Sequence, residues 1–232
     1  LPDIYKAQFR EVPESKEKGF LTFLYPKVAL WDSRDLLAFS NQVAKMKVGD
    51  TTYHSTGMAI LFARLSQIVL HDAKWFTVLA IIAILLILLV DLRSLVGTFV
   101  ALIPLVVGIT AMLGLMAILG QKMNFMNVVV FPVVLGYGMG NGVYIIHRFR
   151  ESGSALTAVT QTGRAVLASC ITTLVGWSSL LTANHLGLES MGVLSSLGIA
   201  CVLITSLVLL PAILQLLQPY FNKRWGGGEA NT

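Results

Sequence analysis

From Trp75 onward the chain lacks the regular mixing of apolar and polar positions found in a soluble fold. Five stretches, 75–92, 94–120, 123–146, 165–184 and 190–217, hold no ionisable Lys, Arg, Glu or His, and a single acid, Asp91. A bilayer core needs about 20 helical residues at about 1.5 Å rise each. The first stretch is the shortest and fits if Lys74, Asp91 and Arg93 lie at the interfaces, where Trp75 also belongs. Alone it would read equally well as a buried helix of a soluble protein; five in succession exclude that. The pattern predicts a membrane all-α bundle of five transmembrane helices.

Residues 1–73 differ in character. Charges crowd 6–18, then 20–30 is apolar and broken by Pro26, the mark of an edge strand or a bend. Asp32 reads as an N-cap and Asp35 as a first-turn acid, opening a helix with Leu36, Leu37, Phe39 and Val43 at helical spacing. Gly49 and Asp50 are expected to end it. Residues 51–56 are β-branched and aromatic enough for a strand, Gly57 breaks it, and 58–73 leads as a helix into the membrane. The order strand, helix, strand, helix predicts a small α/β or α+β extracytoplasmic subdomain. It is too small to bury a core of its own, so upstream sequence is expected to complete it, as a start at Leu1 rather than Met also suggests. No signal peptide is evident. Residues 151–163 are read as a helix on the membrane surface, and 221–232 as a disordered cytoplasmic tail.

Composition agrees: 55% of residues are hydrophobic and 12% charged, with a mean hydropathy of +0.74, against about 25% charged in soluble domains. Arg93, Arg148, Arg150, Arg164, Lys223 and Arg224 fall on one side of the membrane and Arg64, Lys74 and Lys122 on the other. The richer side is cytoplasmic by the positive-inside rule, so residues 1–73 lie outside a cell (inner) membrane and the C-terminus inside. The net charge of +5 forms no basic stripe with interleaved aromatics, so no nucleic-acid partner is expected. Cys170 and Cys201 are assigned to packing. No metal spacing, cofactor motif or nucleophile cluster appears, and no enzyme activity is expected.

The third stretch holds Gly136, Gly138, Gly140 and Gly142 at alternate positions, each costing about 1 kcal/mol relative to Ala in a helix. Gly136 with Gly140, and Gly138 with Gly142, form GxxxG pairs on two faces, which predicts close helix neighbours on both and a central place in the bundle. Pro132 predicts a kink. The accompanying GxGxxG lies in an apolar span with no preceding soluble strand, so it is no dinucleotide fingerprint. Tyr137, Asn141, Tyr144 and Arg148 follow at i, i+4, i+7 and i+11, a polar stripe facing protein or a water path; plain interhelical hydrogen bonding is an equal alternative. In the fourth stretch, Thr172, Gly176 and Ser179 share a face, with Ser169 and Thr173 beside it, and their hydroxyls are candidates to meet Asn141. Back-bonding to the preceding turn is the alternative. His147 and His185 are read as interfacial, His147 anchoring a basic loop and His185 sitting in a hairpin.

Several segments then match as an ordered set. These are 135–142 running into Val143-Tyr144-Ile145-Ile146-His147-Arg148-Phe149-Arg150-Glu151, and 168–181 with Thr172-Thr173 and Gly176-Trp177. Met191-Gly192, Gly198-Ile199-Ala200 and Leu209-Leu210-Pro211-Ala212 follow. Over most of 58–217 the chain resembles the resistance-nodulation-division (RND) superfamily, most closely its mycobacterial-membrane-protein-large and hopanoid-exporter branches, related to the sterol-sensing domain. The resemblance implies that 1–57 ends a periplasmic porter domain and that the chain is the C-terminal half of a twofold-repeated transporter. Such proteins export lipids, hopanoids or other hydrophobic molecules with the proton gradient. The implied partners are membrane lipids and the N-terminal half, with a homo-oligomer left open. Where that family's glycine-rich helix often carries Asp, this chain has Gly140 beside Asn141. Proton coupling is therefore expected from the N-terminal half, with Asn141, Tyr144 and Thr172 as polar partners, or is lost. The alternative is a non-transporting module for sterol or lipid sensing, or an accessory of protein export.

Overall fold

The structure, a computed structural model, describes residues 23–27, 30 and 32–225. Helix α1 (Ser33–Val43) starts where the Asp32 carboxylate accepts the N–H of Arg34 at 3.0 Å, with Asp35 in its first turn. It stops well before Gly49. Lys45–Val48 forms strand β1, antiparallel to β2 (Thr51–His54), with Val48 opposite Thr51 around the two-residue turn Gly49–Asp50. Gly49 sits at φ 62°, the left-handed region that glycine enters without a side-chain clash. The expected helix stop is thus a hairpin turn; the alternation in Lys45-Met46-Lys47-Val48 is a strand signal that the helix reading passed over. Among the described residues the subdomain order is helix, strand, strand, helix. Of the strand expected at 20–30, residues 23–26 have no regular structure and Lys27 lies at a bend, while 20–22, 28 and 29 fall outside the described residues.

Lys122, from the far connection of the bundle, lies 3.0 Å from Asp32. The Arg34 N–H first, and then the Lys122 ammonium, hold the Asp32 carboxyl below its usual value. A depressed folded value contributes stability above the unfolded carboxylate value of about 3.9, lost as pH falls through the folded one. Amide-exchange protection of α1 should therefore stay level from neutral pH to about 4 and fall below that. Asp32→Ala should remove roughly 1 kcal/mol, a drop of about fivefold in protection, and should flatten the acid response.

Met58–Leu92 is one helix, α2, of 35 residues. It merges the lead-in 58–73 with the first span and reaches about 52 Å, longer than a bilayer core of about 30 Å. Its first half stands clear of the apolar segment and carries α1 packed against it. Helix α3 (Leu95–Ile118) follows, its N-cap Ser94 accepting the Gly97 N–H. Helix α4 (Val130–Ser152) begins after a 3₁₀ turn at Asn127–Val129. It starts later than position 123 because Asn124 Oδ1 accepts the N–H groups of Met126 and Asn127, while Asn127 Nδ2 donates to the Lys122 carbonyl. Pro132 consequently lies in the first turn of α4, where no intrahelical hydrogen bond is lost, and the expected kink loses its cause.

The connection left between the third and fourth apolar stretches, 147–164, shrinks to two non-helical residues. Helix α4 runs to Ser152, and α5 (Ala155–Ser178) contains most of the predicted surface helix. Gly153 ends α4 at φ 66° and Ser154 Oγ accepts the Thr157 N–H, so a left-handed cap and an N-cap meet back to back. After a 3₁₀ turn at Ser179–Thr182, His185 caps α6 (Leu186–Ile204) through Nδ1, which accepts the Gly187 N–H. A π turn (Thr205–Leu209) joins α6 to α7 (Leu210–Trp225). Residues 221–225, expected to be disordered, belong to α7; 226–232 fall outside the described residues.

Five of these segments are long and apolar enough to cross a membrane, α6 and α7 counting as one, and the chain is a multi-pass membrane protein. Helix α4 touches α2, α3, α5, α6 and α7. The main core joins Leu88 and Leu92 of α2, Met112 of α3, Ile145 and Ile146 of α4, and Leu210 and Leu214 of α7. A smaller one sets Val166 and Cys170 of α5 against Ile199 and Leu203 of α6. Helix α5 is the least covered of the five spans.

Candidate functional site

Alternate glycines leave two sides of α4 without side chains, and the bundle treats them differently. A Cβ at Gly138 would lie 2.6 Å from Val202 Cγ1 and 2.7 Å from Leu105 Cδ1, and one at Gly142 would lie 3.2 Å from the Ala101 carbonyl oxygen. That face is filled by α3 and α6. A Cβ at Gly136 would meet nothing within 4 Å, and one at Gly140 only the ring of Tyr144 on its own helix. The two-sided packing expected of the GxxxG pairs is therefore found on one side; the other is an open stripe of Gly136, Gly140 and Tyr144.

The polar residues divide along the same line. Asn141 is buried, 5% exposed, and its Nδ2 donates to Cys170 Sγ at 3.5 Å. Tyr137 packs with the α5 and α6 residues of the smaller core. Its hydroxyl lies beside Ser169, Cys170 and Thr173 without a hydrogen bond of regular geometry. Tyr144 points away, 62% exposed, so the stripe turns around the helix instead of lining one path. Arg148 Nε donates to Gln161 Oε1, and Nη1 to Glu151.

Thr172 and Thr173 do not reach Asn141. Both hydroxyls donate to the Ser169 carbonyl, and Ser179 to that of Gly176, the back-bonding alternative. Thr172 and Gly176 are exposed, and a Cβ at Gly176 would touch nothing. The partner of Asn141 is instead Cys170, which the sequence reading left in the packing. Its signal is visible in hindsight: Val166, Cys170, Thr173 and Trp177 recur at i, i+4, i+7 and i+11, and that face meets α4. Around Asn141 the α4–α5 seam thus offers an amide, a phenol, a thiol and the hydroxyls of Ser169 and Thr173.

Other contacts escaped the sequence reading. Gly108 of α3 is so close to α6 that a Cβ would stand 2.8 Å from Val202 Cα. Beside it Thr205, opening the π turn, donates to the Pro104 carbonyl at 2.7 Å. His147 is no loop residue: its Nε2 lies 2.6 Å from Asp91 Oδ2 and ties α4 to the end of α2. An apolar cavity of about 500 Å³ lies at the foot of the α1 subdomain, beside the stacked pair Phe62 and Phe125. Among the described residues, no group of three or more His, Cys, Asp or Glu is placed to hold a metal ion.

Residues 34–225 match the model of the MMPL family. A hopanoid transporter HpnN of Burkholderia multivorans is 34% identical over 145 residues, covering 62% of this chain and 16% of that protein. The hopanoid transporter HpnN of Rhodopseudomonas palustris is 30% identical over 178 residues, 77% of this chain and 18% of that one. A putative membrane protein, MJ1562, of Methanocaldococcus jannaschii is 24% identical over 233 residues, 91% of this chain and 60% of it. The chain thus spans under a fifth of either hopanoid transporter.

Proposed function

The chain belongs to the MMPL family, and on that premise we propose that it is the C-terminal half of an RND-type exporter of hopanoids, lipids or similar hydrophobic molecules. The observation that carries the two-half reading is the open stripe of α4. Gly136 and Gly140 carry the cost of glycine in a helix, about 1 kcal/mol each, with no neighbour against them. Glycines of this kind serve close helix approach in membranes. A helix from the other half, seated on Gly136, Gly140 and Tyr144 beside the exposed Thr172 and Gly176, supplies that neighbour. Asn141 and Tyr137 then lie one helix layer behind the contact and tie α4 to α5, so that the two move together.

The acids of the spanning helices are Asp72, Asp91, Glu151 and Glu189. Asp91, Glu151 and Glu189 stand at helix ends, and Asp72 precedes the apolar part of α2. No carboxylate here is at mid-membrane depth, so the proton carriers belong to the other half. The α1 subdomain lies outside the inner membrane, and the α4–α5 turn and α7 end inside the cell. The same lack of a midplane acid favours the second reading, a lipid- or sterol-sensing or protein-export accessory module.

Proteoliposomes containing the full-length protein discriminate these readings. A fluorescent lipid or hopanoid should move only under an imposed proton gradient. Asn141→Leu should slow the movement roughly tenfold, since burying an amide seam as hydrocarbon removes a contact of 1–2 kcal/mol, while insertion stays normal. Binding of the lipid without gradient-driven movement would establish the sensing reading instead.

A further inference from the structure

On the subdomain side of the membrane, Leu70, Ala73, Lys74, Thr77 and Val78 of α2 recur at i, i+3, i+4, i+7 and i+8 on a single helix face, with Lys74 and Val78 exposed and Ala73 buried at its base. Opposite stand Met123, Val128 and Phe131, from the α3–α4 connection and the start of α4. Between them lies an open groove of about 570 Å³, a volume that small ligands commonly fill, about 300–1,000 Å³. Its walls are apolar: even the Thr77 hydroxyl is turned in to the Ala73 carbonyl at 2.7 Å. The one charge on its described lining is Lys74.

The depth of the groove follows from its neighbours. Trp75 and Phe76 are 67% and 61% exposed, and the apolar segment of α2 runs from Trp75 toward Asp91. A Lys-Trp-Phe step at such a boundary sits at headgroup level. Below it Thr77, Val78 and Phe131 face hydrocarbon. The two nearby cations differ in their partners: Lys122 is paired with Asp32, whereas Lys74 has no carboxylate within ion-pair distance among the described residues. An ammonium without a counter-ion among the described residues thus stands at the mouth of an apolar groove, at the depth where lipid phosphates lie.

We infer that this groove holds a resident anionic phospholipid of the leaflet on the subdomain side, its phosphate on Lys74 and an acyl chain along Thr77, Val78 and Phe131. Lysine suits the task as a compact charge with three donors on a flexible stem, and the apolar walls make the site selective for a lipid over a soluble phosphate. The site is independent of export: it requires only the fold and the membrane.

The test uses the full-length protein in detergent, loaded with phosphatidylglycerol or with phosphatidylcholine of identical chains, and read by native mass spectrometry. Phosphatidylglycerol should be retained about fivefold more strongly, the worth of one interfacial lysine. Lys74→Gln should erase that preference, Lys74→Arg should keep it, and Thr77→Trp, which fills the groove, should reduce retention of both lipids. A phosphatidylglycerol bearing a diazirine in its acyl chain should label residues 70–78 and 123–131. Equal retention of the two lipids by the unaltered protein, a preference that survives Lys74→Gln, or labelling confined to other segments would overturn the inference. Displacement by free glycerol phosphate at the lipid's own concentration would also overturn it, by reducing the site to one for small anions.

Discussion

Gly108→Val should be the most damaging single change in the bundle, lowering stability in detergent by about 1–3 kcal/mol or more, the range for forcing atoms into a filled core. The reason is what stands opposite. A Cβ at Gly108 would lie 2.8 Å from Val202 Cα, and backbone cannot rotate aside as a side-chain tip can. It would also lie 2.9 Å from Thr205 Oγ1, whose hydroxyl is engaged with the Pro104 carbonyl. The new methyl groups must therefore separate α3 from α6 or break the contact that fixes the start of the π turn. Gly114, also on α3, has nothing within 4 Å of a Cβ, so Gly114→Ala should change stability by less than about 0.5 kcal/mol. Thermal unfolding followed by circular dichroism compares the two. Equal melting points would mean that α3 and α6 are not in the contact described.

The gap between Gly108 and the α4 glycines also measures what a sequence makes legible. The five apolar spans were readable because lipid demands length and apolarity, and those properties belong to each segment separately. The Asp32 cap was readable because capping acts within one turn. Helix ends were harder. The Gly153–Ser154 turn is a cap pair in plain sequence, yet the third span reads as ending at 146 and 151–163 as a separate surface helix, because charges such as Arg148, Arg150 and Glu151 at the last turn of a helix resemble charges in a connection. Partner choice was hardest. Gly136, Gly138, Gly140 and Gly142 are equivalent as letters, and Gly108 looks ordinary, because a close approach is a property of two helices. Thr172 looked the better partner for Asn141 on chemistry. Cys170 has the place because the face of α5 is chosen by the burial of Val166 and Trp177, and the hydroxyls on the other face find acceptors in their own helix.

Gly140→Leu should then separate stability from function. Leucine is favoured over glycine in a helix by about 1 kcal/mol. A Cβ here meets only the ring of Tyr144 of the same helix, so this chain should be no less stable, and slightly more helical, than the unaltered one. In the full-length protein the same leucine would stand in the path of the helix proposed to seat on α4. Export should fall by roughly tenfold, the scale of an overpacked contact. Gly138→Leu is the counterpart, because it meets Val202 and Leu105 within the chain itself and should cost stability and export alike. The pair is decisive because the two glycines lie two residues apart, share a membrane depth and differ only in the direction they face. Undiminished export by Gly140→Leu would mean that the open stripe of α4 faces lipid, and the two-half reading would lose the observation on which it rests.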